Sequence, residues 1–126
     1  MSRGHRELDS WQKGREFVAR LCRATDLFPA DERFGLTAQL RRAAVSVPSN
    51  IAGGAARSTT ADYLRFLYMA RGSPSEIDTQ ITLAGDLEFL TPPQCQSLLE
   101  DVDNLARLLQ GQINGLKGAN QTDPTT

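Results

Sequence analysis

Apolar residues recur every three or four positions along most of this chain, the spacing of one buried face of an α-helix. Four such segments are separated by short polar runs with glycine and proline, and none alternates in the manner of a strand. The predicted helices are residues 9–28, residues 33–56, a third from residue 60 onward, and residues 92–116. In the first helix the apolar spacing predicts that the inward side chains are Trp11, Val18, Leu21, Cys22, Thr25 and Phe28. Because short connections make consecutive helices antiparallel, the sequence predicts an all-α, up-down-up-down four-helix bundle.

Two of the predicted helices contain proline, which removes a hydrogen bond and clashes with the preceding turn at a cost of ~3 kcal/mol. The apolar spacing keeps its phase across Pro48 in the second helix. It does the same across Gly72-Ser73-Pro74 in the third. We therefore expect both segments to be bent but continuous helices.

The helix starts carry side chains that can accept hydrogen bonds from free amide groups. The predicted caps are Asp9 or Ser10, then Asp31, then one of Ser58, Thr59 and Thr60, and finally Thr91. Residues 9–117 are predicted to form the bundle. Residues 1–8 show no periodicity and are expected to be mobile, and the composition of residues 118–126 predicts disorder.

The first two turns of the third helix are apolar nearly all round, with only Arg65 interrupting them. A helix that is apolar on every side must be covered on every side, which one small bundle cannot easily do. The sequence therefore predicts a contact between subunits here. Its candidate residues are Tyr63, Leu64, Phe66, Tyr68 and Met69.

A second stripe of small and polar residues runs along the second helix and is matched by polar positions on the third. We interpret these positions as a polar network between the two helices. The predicted members are Arg42, Asn50, Glu76 and Gln80, with an ion pair between Arg42 and Glu76 as a specific hypothesis.

The 126 residues carry a net charge of −1, but the charge is unevenly distributed. Residues 1–71 hold twelve Lys or Arg and seven acids, a sum of +5, whereas residues 72–126 hold two bases and eight acids, a sum of −6. This asymmetry fits either pairing between basic and acidic helices or a basic surface for an anionic partner, and the near-neutral total favours pairing. The apolar runs are too short for a membrane span, and the start does not resemble a signal peptide, so we expect a cytoplasmic protein.

Basic residues near the second helix and the following turn are the candidates for binding nucleic acid or another anion. They are Arg41, Arg42, Arg57, Ser58 and Thr59. A phosphate could bind at the start of the third helix, where free amide groups and the helix dipole favour negative charge. Ordinary helix capping explains the same hydroxyl residues and is the favoured interpretation. Arg41 and Arg42 point about 100° apart on a helix, so they cannot both serve one flat surface.

The sequence predicts no catalytic, cofactor or metal site. The single histidine, His5, lies in the segment expected to be mobile, which excludes the paired Glu-x-x-His ligands of di-iron bundles. Cys22 and Cys95 are far apart and lack the spacing of zinc ligands. Gly53-Gly54 lacks the strand and lysine of a phosphate-binding loop.

Several motifs resemble a bacterial four-helix-bundle family that includes proteins encoded in intervening sequences of large-subunit ribosomal RNA genes. The matching stretches are Trp11-Gln12-Lys13, residues 33–37, residues 39–52, residues 63–67, Gly72-Ser73, Ser75-Glu76 and Thr79-Gln80. The resemblance covers residues 11 to about 117. Two positions depart from the family pattern: Gly53 stands where an acidic residue is common, and Pro74 where leucine is usual.

This resemblance implies a four-helix bundle that assembles into a ring-like homopentamer. The family is also similar to accessory proteins of diversity-generating retroelements, which bind a reverse transcriptase and nucleic acid through a basic surface. The leading hypothesis is thus a non-catalytic oligomeric scaffold that binds another macromolecule. The alternative is an accessory factor that binds RNA or DNA.

Overall fold

The computed structural model describes residues 4–122, and this part of the chain forms four long helices and no strand. In chain order they are α1 (Asp9–Thr25), α2 (Leu36–Ala55), α3 (Thr60–Asp86) and α4 (Pro92–Thr122). Each packs against its sequence neighbours and α1 also packs against α4, while the diagonal pairs make no close backbone contact. The prediction of an all-α chain of four helices is confirmed. The predicted ring involves further chains and stays a prediction.

The helical structure extends further than predicted at both ends of the chain. Residues Gly4–Glu7, which were expected to be mobile, form a 3-10 helix. Helix α4 continues to Thr122, six residues beyond the predicted end, because each added residue gains a hydrogen bond once a helix is formed. Residues 1–3 and 123–126 of the predicted mobile ends lie outside the described residues.

The predicted caps are correct for the two later helices and wrong for the two earlier ones. The Thr59 hydroxyl accepts a hydrogen bond from the Asp62 amide at 3.1 Å. Thr91 and Gln94 form a reciprocal capping box, with bonds of 3.3 and 2.8 Å. In contrast, α1 and α2 are preceded by Leu8 and Gly35 without a side-chain cap.

The residues predicted to cap α1 and α2 have other positions. Asp31 belongs to a short 3-10 helix, Ala30–Glu32, that precedes α2. Asp9 lies inside the first turn of α1, and the Ser10 hydroxyl is turned inward to donate to Gln112 Oε1 of α4 at 2.5 Å.

Both helices with interior prolines are continuous, as predicted. Pro48 lies inside α2 and Pro74 inside α3. The Ser46 hydroxyl, close to Pro48 on α2, contacts the Ser73 hydroxyl of α3 at 2.5 Å. The proline-containing regions of the two helices therefore lie side by side.

The core is a single cluster of buried apolar side chains from all four helices. The stripe of α1 is centred on Phe17 and Leu21, whereas Trp11 and Val18, expected inside, are only partly buried. Gly14 faces α2, where a methyl group added to this glycine would lie 3.5 Å from Pro48 Cδ. The two helices thus cross closely at this glycine.

The seam between α1 and α4 is open along part of its length. A cavity of about 440 Å³ lies along it, lined in part by Phe17, Arg20, Asp101 and Leu105. Arg20 Nε and Asp101 Oδ2 span the seam at 2.9 Å, although the N–H is not directed at that oxygen.

Helix α3 ends in a Schellman motif. The amides of Glu88 and Phe89 donate to the carbonyls of Gly85 and Ala84 at 3.0 and 2.9 Å. Glu88 has φ of 64°, the left-handed conformation for which glycine is the usual residue. A glutamate here carries a conformational cost of about 1–2 kcal/mol.

Replacing Glu88 by glycine is therefore expected to raise the free energy of unfolding by about 0.5–1 kcal/mol, measured by urea titration. Leu87→Gly is the control, because Leu87 has φ of −83° and gains nothing from glycine. A loss of stability in Glu88→Gly would show that its carboxylate contributes more than the backbone strain costs.

Candidate interaction surfaces

The basic residues predicted to bind an anion do not form one surface. Arg41 bridges α1 and α2: its Nε donates to Thr25 Oγ1 at 2.9 Å, and its Nη2 donates to the Cys22 carbonyl at 3.2 Å and to Asp26 Oδ1 at 2.9 Å. Arg42 is exposed and lies in the groove between α2 and α3. Arg41 is therefore occupied by the fold, while Arg42 is available to a partner.

Replacing Arg41 by methionine is expected to lower the free energy of unfolding by about 1–2 kcal/mol, because several hydrogen bonds between α1 and α2 are lost. Arg42→Met should change stability by less than about 0.5 kcal/mol. Chemical denaturation of both variants checks this, and equal effects would contradict the assigned role of Arg41.

The turn between α2 and α3 brings two guanidinium groups onto one aromatic ring. Arg57 Cζ lies 4.5 Å and Arg65 Cζ 4.9 Å from the centre of the Phe66 ring. Arg57 Nε also donates to the Gly53 carbonyl at 3.0 Å. Ser58 and Thr59, the other predicted anion ligands, are exposed beside Arg57. The separation of Arg57 and Arg65 by eight residues gives no sign in the sequence that both arginines lie on one ring.

Phe66 packs closely against the glycines at the end of α2. A methyl group added at Gly53 would lie 3.1 Å from Phe66 Cε1. One added at Gly54 would lie 2.9 Å from Phe66 Cβ and 3.0 Å from Tyr63 Cδ1. The paired glycines therefore allow α3 to approach α2, and they place Phe66 under the two arginines.

The five residues predicted to contact another subunit fall into two groups. Tyr63 and Leu64 pack against the core, and the Tyr63 hydroxyl accepts a hydrogen bond from Gln112 Nε2 at 2.8 Å. Phe66 is half-buried between the paired glycines of α2 and the two guanidinium groups. Tyr68 and Met69 are 37% and 47% exposed, so they are the members of the set that present most surface.

The predicted polar network lies in the groove between α2 and α3. The direct bond there joins Ser46 and Ser73, while Asn50 donates to the Ser46 carbonyl within its own helix at 2.8 Å. Arg42 and Glu76 both line the groove but form no ion pair with each other. Gln80 Oε1 is buried there without a hydrogen-bond partner among the described residues.

The most exposed large apolar side chains, which the sequence did not indicate, lie in the connections at one end of the bundle. Phe34 is 89% exposed and Leu27 is 85% exposed, both between α1 and α2. Leu87 is 56% exposed between α3 and α4. These positions have no helical period, so only their apolar character within short polar connections could have indicated them.

The described residues hold no group of histidine, cysteine, aspartate and glutamate arranged to bind a metal ion. Within the same range, no helix is both long enough and apolar enough to cross a bilayer.

The fold is an antiparallel four-helix bundle with several exposed apolar and charged surfaces. The sequence profile of the 23S rRNA-intervening sequence proteins matches residues 6–111. The chain therefore belongs to the 23S rRNA-intervening sequence protein family, which confirms the resemblance seen in the sequence.

A solved structure agrees with this fold. It is the crystal structure, at 1.70 Å, of a protein of unknown function from the S23 ribosomal protein family of Bacteroides thetaiotaomicron. The TM-score is 0.76 at 24% sequence identity, and the match covers 83% of this chain and 95% of that one. No curated protein sequence matches the chain.

Proposed function

We propose that the protein is a non-catalytic, cytoplasmic homo-oligomer, a pentamer by family resemblance, that acts as a scaffold for another macromolecule. The observation that carries the proposal is the outer face of α3, where Tyr68 and Met69 are exposed and no other helix of the described chain covers them. Arg71 of the same helix lies on the Tyr68 ring, with Cζ 4.7 Å from its centre. Exposed apolar side chains next to polar groups are typical of protein interfaces.

The adjacent groove supports the same proposal. Gln80 Oε1 is buried without a partner among the described residues, which is unfavourable, and turning the side chain outward would let this oxygen accept a hydrogen bond from a neighbouring subunit. Arg42 and Glu76, which are unpaired with each other, line the same groove and could pair across such an interface.

Size-exclusion chromatography with light scattering tests self-association. We expect the wild-type chain to form a pentamer and Met69→Glu to shift it to smaller species, because burying an unpaired carboxylate is costly. Leu87→Glu is the control, since it adds the same charge to an exposed apolar position on the α3–α4 connection. A monomeric wild type, or dissociation by Leu87→Glu alone, would contradict the proposed interface.

Binding of RNA or DNA is a second candidate function, favoured by the two arginines on Phe66. Their guanidinium groups lie next to the start of α3, where the helix dipole also favours phosphate. Phosphate contacts of this kind make affinity fall with salt.

A mixed pool of RNA and DNA, titrated at low and high salt, tests this candidate. Replacing both Arg57 and Arg65 by glutamine should weaken binding and reduce its dependence on salt. Replacing Arg23 and Arg107 by glutamine removes the same charge elsewhere and is the control. Binding that responds equally to both pairs would indicate attraction by net charge without a defined site.

A further inference from the structure

The corner between α3 and α4 contains an open groove of about 590 Å³. Its floor is apolar and is formed in part by buried Leu90 and partly buried Cys95 and Leu99. Its rim carries the carboxylates of Asp86 and Glu88, which are exposed and form no ion pair with a described residue. The groove thus combines an apolar floor with an acidic rim.

The backbone at this corner gives a separate reason to assign a role to Glu88. Its φ of 64° suits glycine, so the chain retains a carboxylate where a side chain is unfavourable. A residue held in a strained conformation is more common at a functional site than elsewhere. Here the strain positions the carboxylate at the edge of the groove.

The rest of this end of the bundle also carries exposed apolar side chains and acidic residues. The Phe28 and Phe89 rings are 5.4 Å apart and bring the α1–α2 and α3–α4 connections together. The exposed apolar residues Leu27, Phe34 and Leu87 all lie in these connections. Besides the Asp26 paired with Arg41, the acids of the two connections and the end of α3 are Asp31, Glu32, Asp86 and Glu88. The bases near them are Arg33 in the first connection and Arg23, which lies beside Pro93 and Gln94 at the start of α4.

We propose that this groove docks a basic amphipathic segment of a partner protein. An aliphatic or aromatic side chain of the segment would lie over Leu90, Cys95 and Leu99, and its Lys or Arg side chains would pair with Asp86 and Glu88. Complementary charge of this kind selects the partner and sets the register of binding.

A second copy of the chain fits this site less well. The basic cluster of Arg57 and Arg65 lies at the opposite end of the bundle, because the α2–α3 turn and the α3–α4 corner are separated by the full length of α3. Pairing the basic end of one copy with the acidic end of another would be an end-to-end contact, whereas the self-association proposed above uses the outer face of α3, on the side of the bundle.

The test uses the full chain and a fluorescein-labelled helical peptide of lysine and leucine, with leucines spaced three and four apart. Two companion peptides replace leucine by serine or lysine by glutamate. Fluorescence anisotropy gives the affinity, and the rate of iodoacetamide alkylation of Cys95, relative to Cys22 on α1, reports occupancy of the groove.

We expect the lysine–leucine peptide to bind and to slow alkylation of Cys95 but not of Cys22. The double variant Asp86→Asn, Glu88→Gln should raise its Kd about tenfold or more, because the charged rim is lost. The control double variant Asp78→Asn, Asp103→Asn removes the same charge from the outer side of α3 and α4 and should leave Kd within about twofold.

The other outcomes overturn the proposal. They are no binding, equal binding of the serine peptide, equal Kd in both double variants, or binding without protection of Cys95. Polymers of the wild-type chain that disappear in Asp86→Asn, Glu88→Gln would assign the groove to a second copy. None of these results depends on whether Met69→Glu changes the oligomer, so this proposal and the scaffold proposal can fail separately.

Discussion

Replacing Phe17 by alanine is expected to lower the free energy of unfolding by about 3–5 kcal/mol, the largest effect of a single substitution considered for this chain. The side chain is 1% exposed and lies in the core cluster where α1 meets the other helices. Its removal loses the apolar burial of a whole ring and leaves a cavity that the helices cannot collapse to fill.

Val18→Ala is the matched control, because Val18 is the neighbouring residue that periodicity placed inside and the structure places at the edge. It should cost less than about 1.5 kcal/mol by urea denaturation. If Phe17→Ala does not fold, Phe17→Leu gives the same comparison at smaller cost. If Val18→Ala lowered the free energy of unfolding more than the Phe17 variants do, the data would support the sequence-based prediction that Val18 faces the core.

Replacing Gly54 by valine is expected to cost about 2–3 kcal/mol, through overpacking between α2 and α3. A methyl group added there would already lie 2.9 Å from Phe66 Cβ and 3.2 Å from the Tyr63 carbonyl oxygen. The second of these is backbone, so relief requires α3 to move away from α2. The same movement would displace Phe66 and the two arginines that cover it.

Gly111→Val is the control for this substitution, because nothing lies within 4 Å of a methyl group added at Gly111. Its effect on thermal or urea unfolding should be below about 0.5 kcal/mol. A loss at Gly54 no greater than that at Gly111 would show that α2 and α3 are not in close contact at the paired glycines.

Several features that depend on neighbouring residues were predictable from the sequence, although the caps of α1 and α2 were not. The Thr59 and Thr91 caps bond to amides three residues away, and the continuity of α2 and α3 through proline follows from the unbroken spacing of apolar residues. The family resemblance came from the same local stretches. These features need no knowledge of how the helices are arranged.

Features that depend on contacts between helices were not predictable. Arg41 resembled a candidate ligand for an anion because its partners on α1 are 15 to 19 residues away. The first half of the α1 stripe was misplaced by about one position because Gly14 and Ser10 count as weak core formers, yet both face other helices. Its second half, with Leu21 and Thr25 inside, was predicted correctly. The groove at the α3–α4 corner combines an unusual backbone angle with floor residues from two helices, and neither leaves a periodic signal.

The seam between α1 and α4 also has a consequence for how the chain folds. The other pairs of neighbouring helices are consecutive in sequence, so each can form as a hairpin after closing a short loop. The bond between Ser10 and Gln112 instead joins residues 102 positions apart. The entropic cost of closing a loop grows with the length of chain enclosed, so joining α1 to α4 directly in the unfolded chain is the most costly contact. Prior formation of the three hairpins lowers this cost because it brings α1 and α4 closer together. We therefore expect the contact between α1 and α4 to form after the three hairpins.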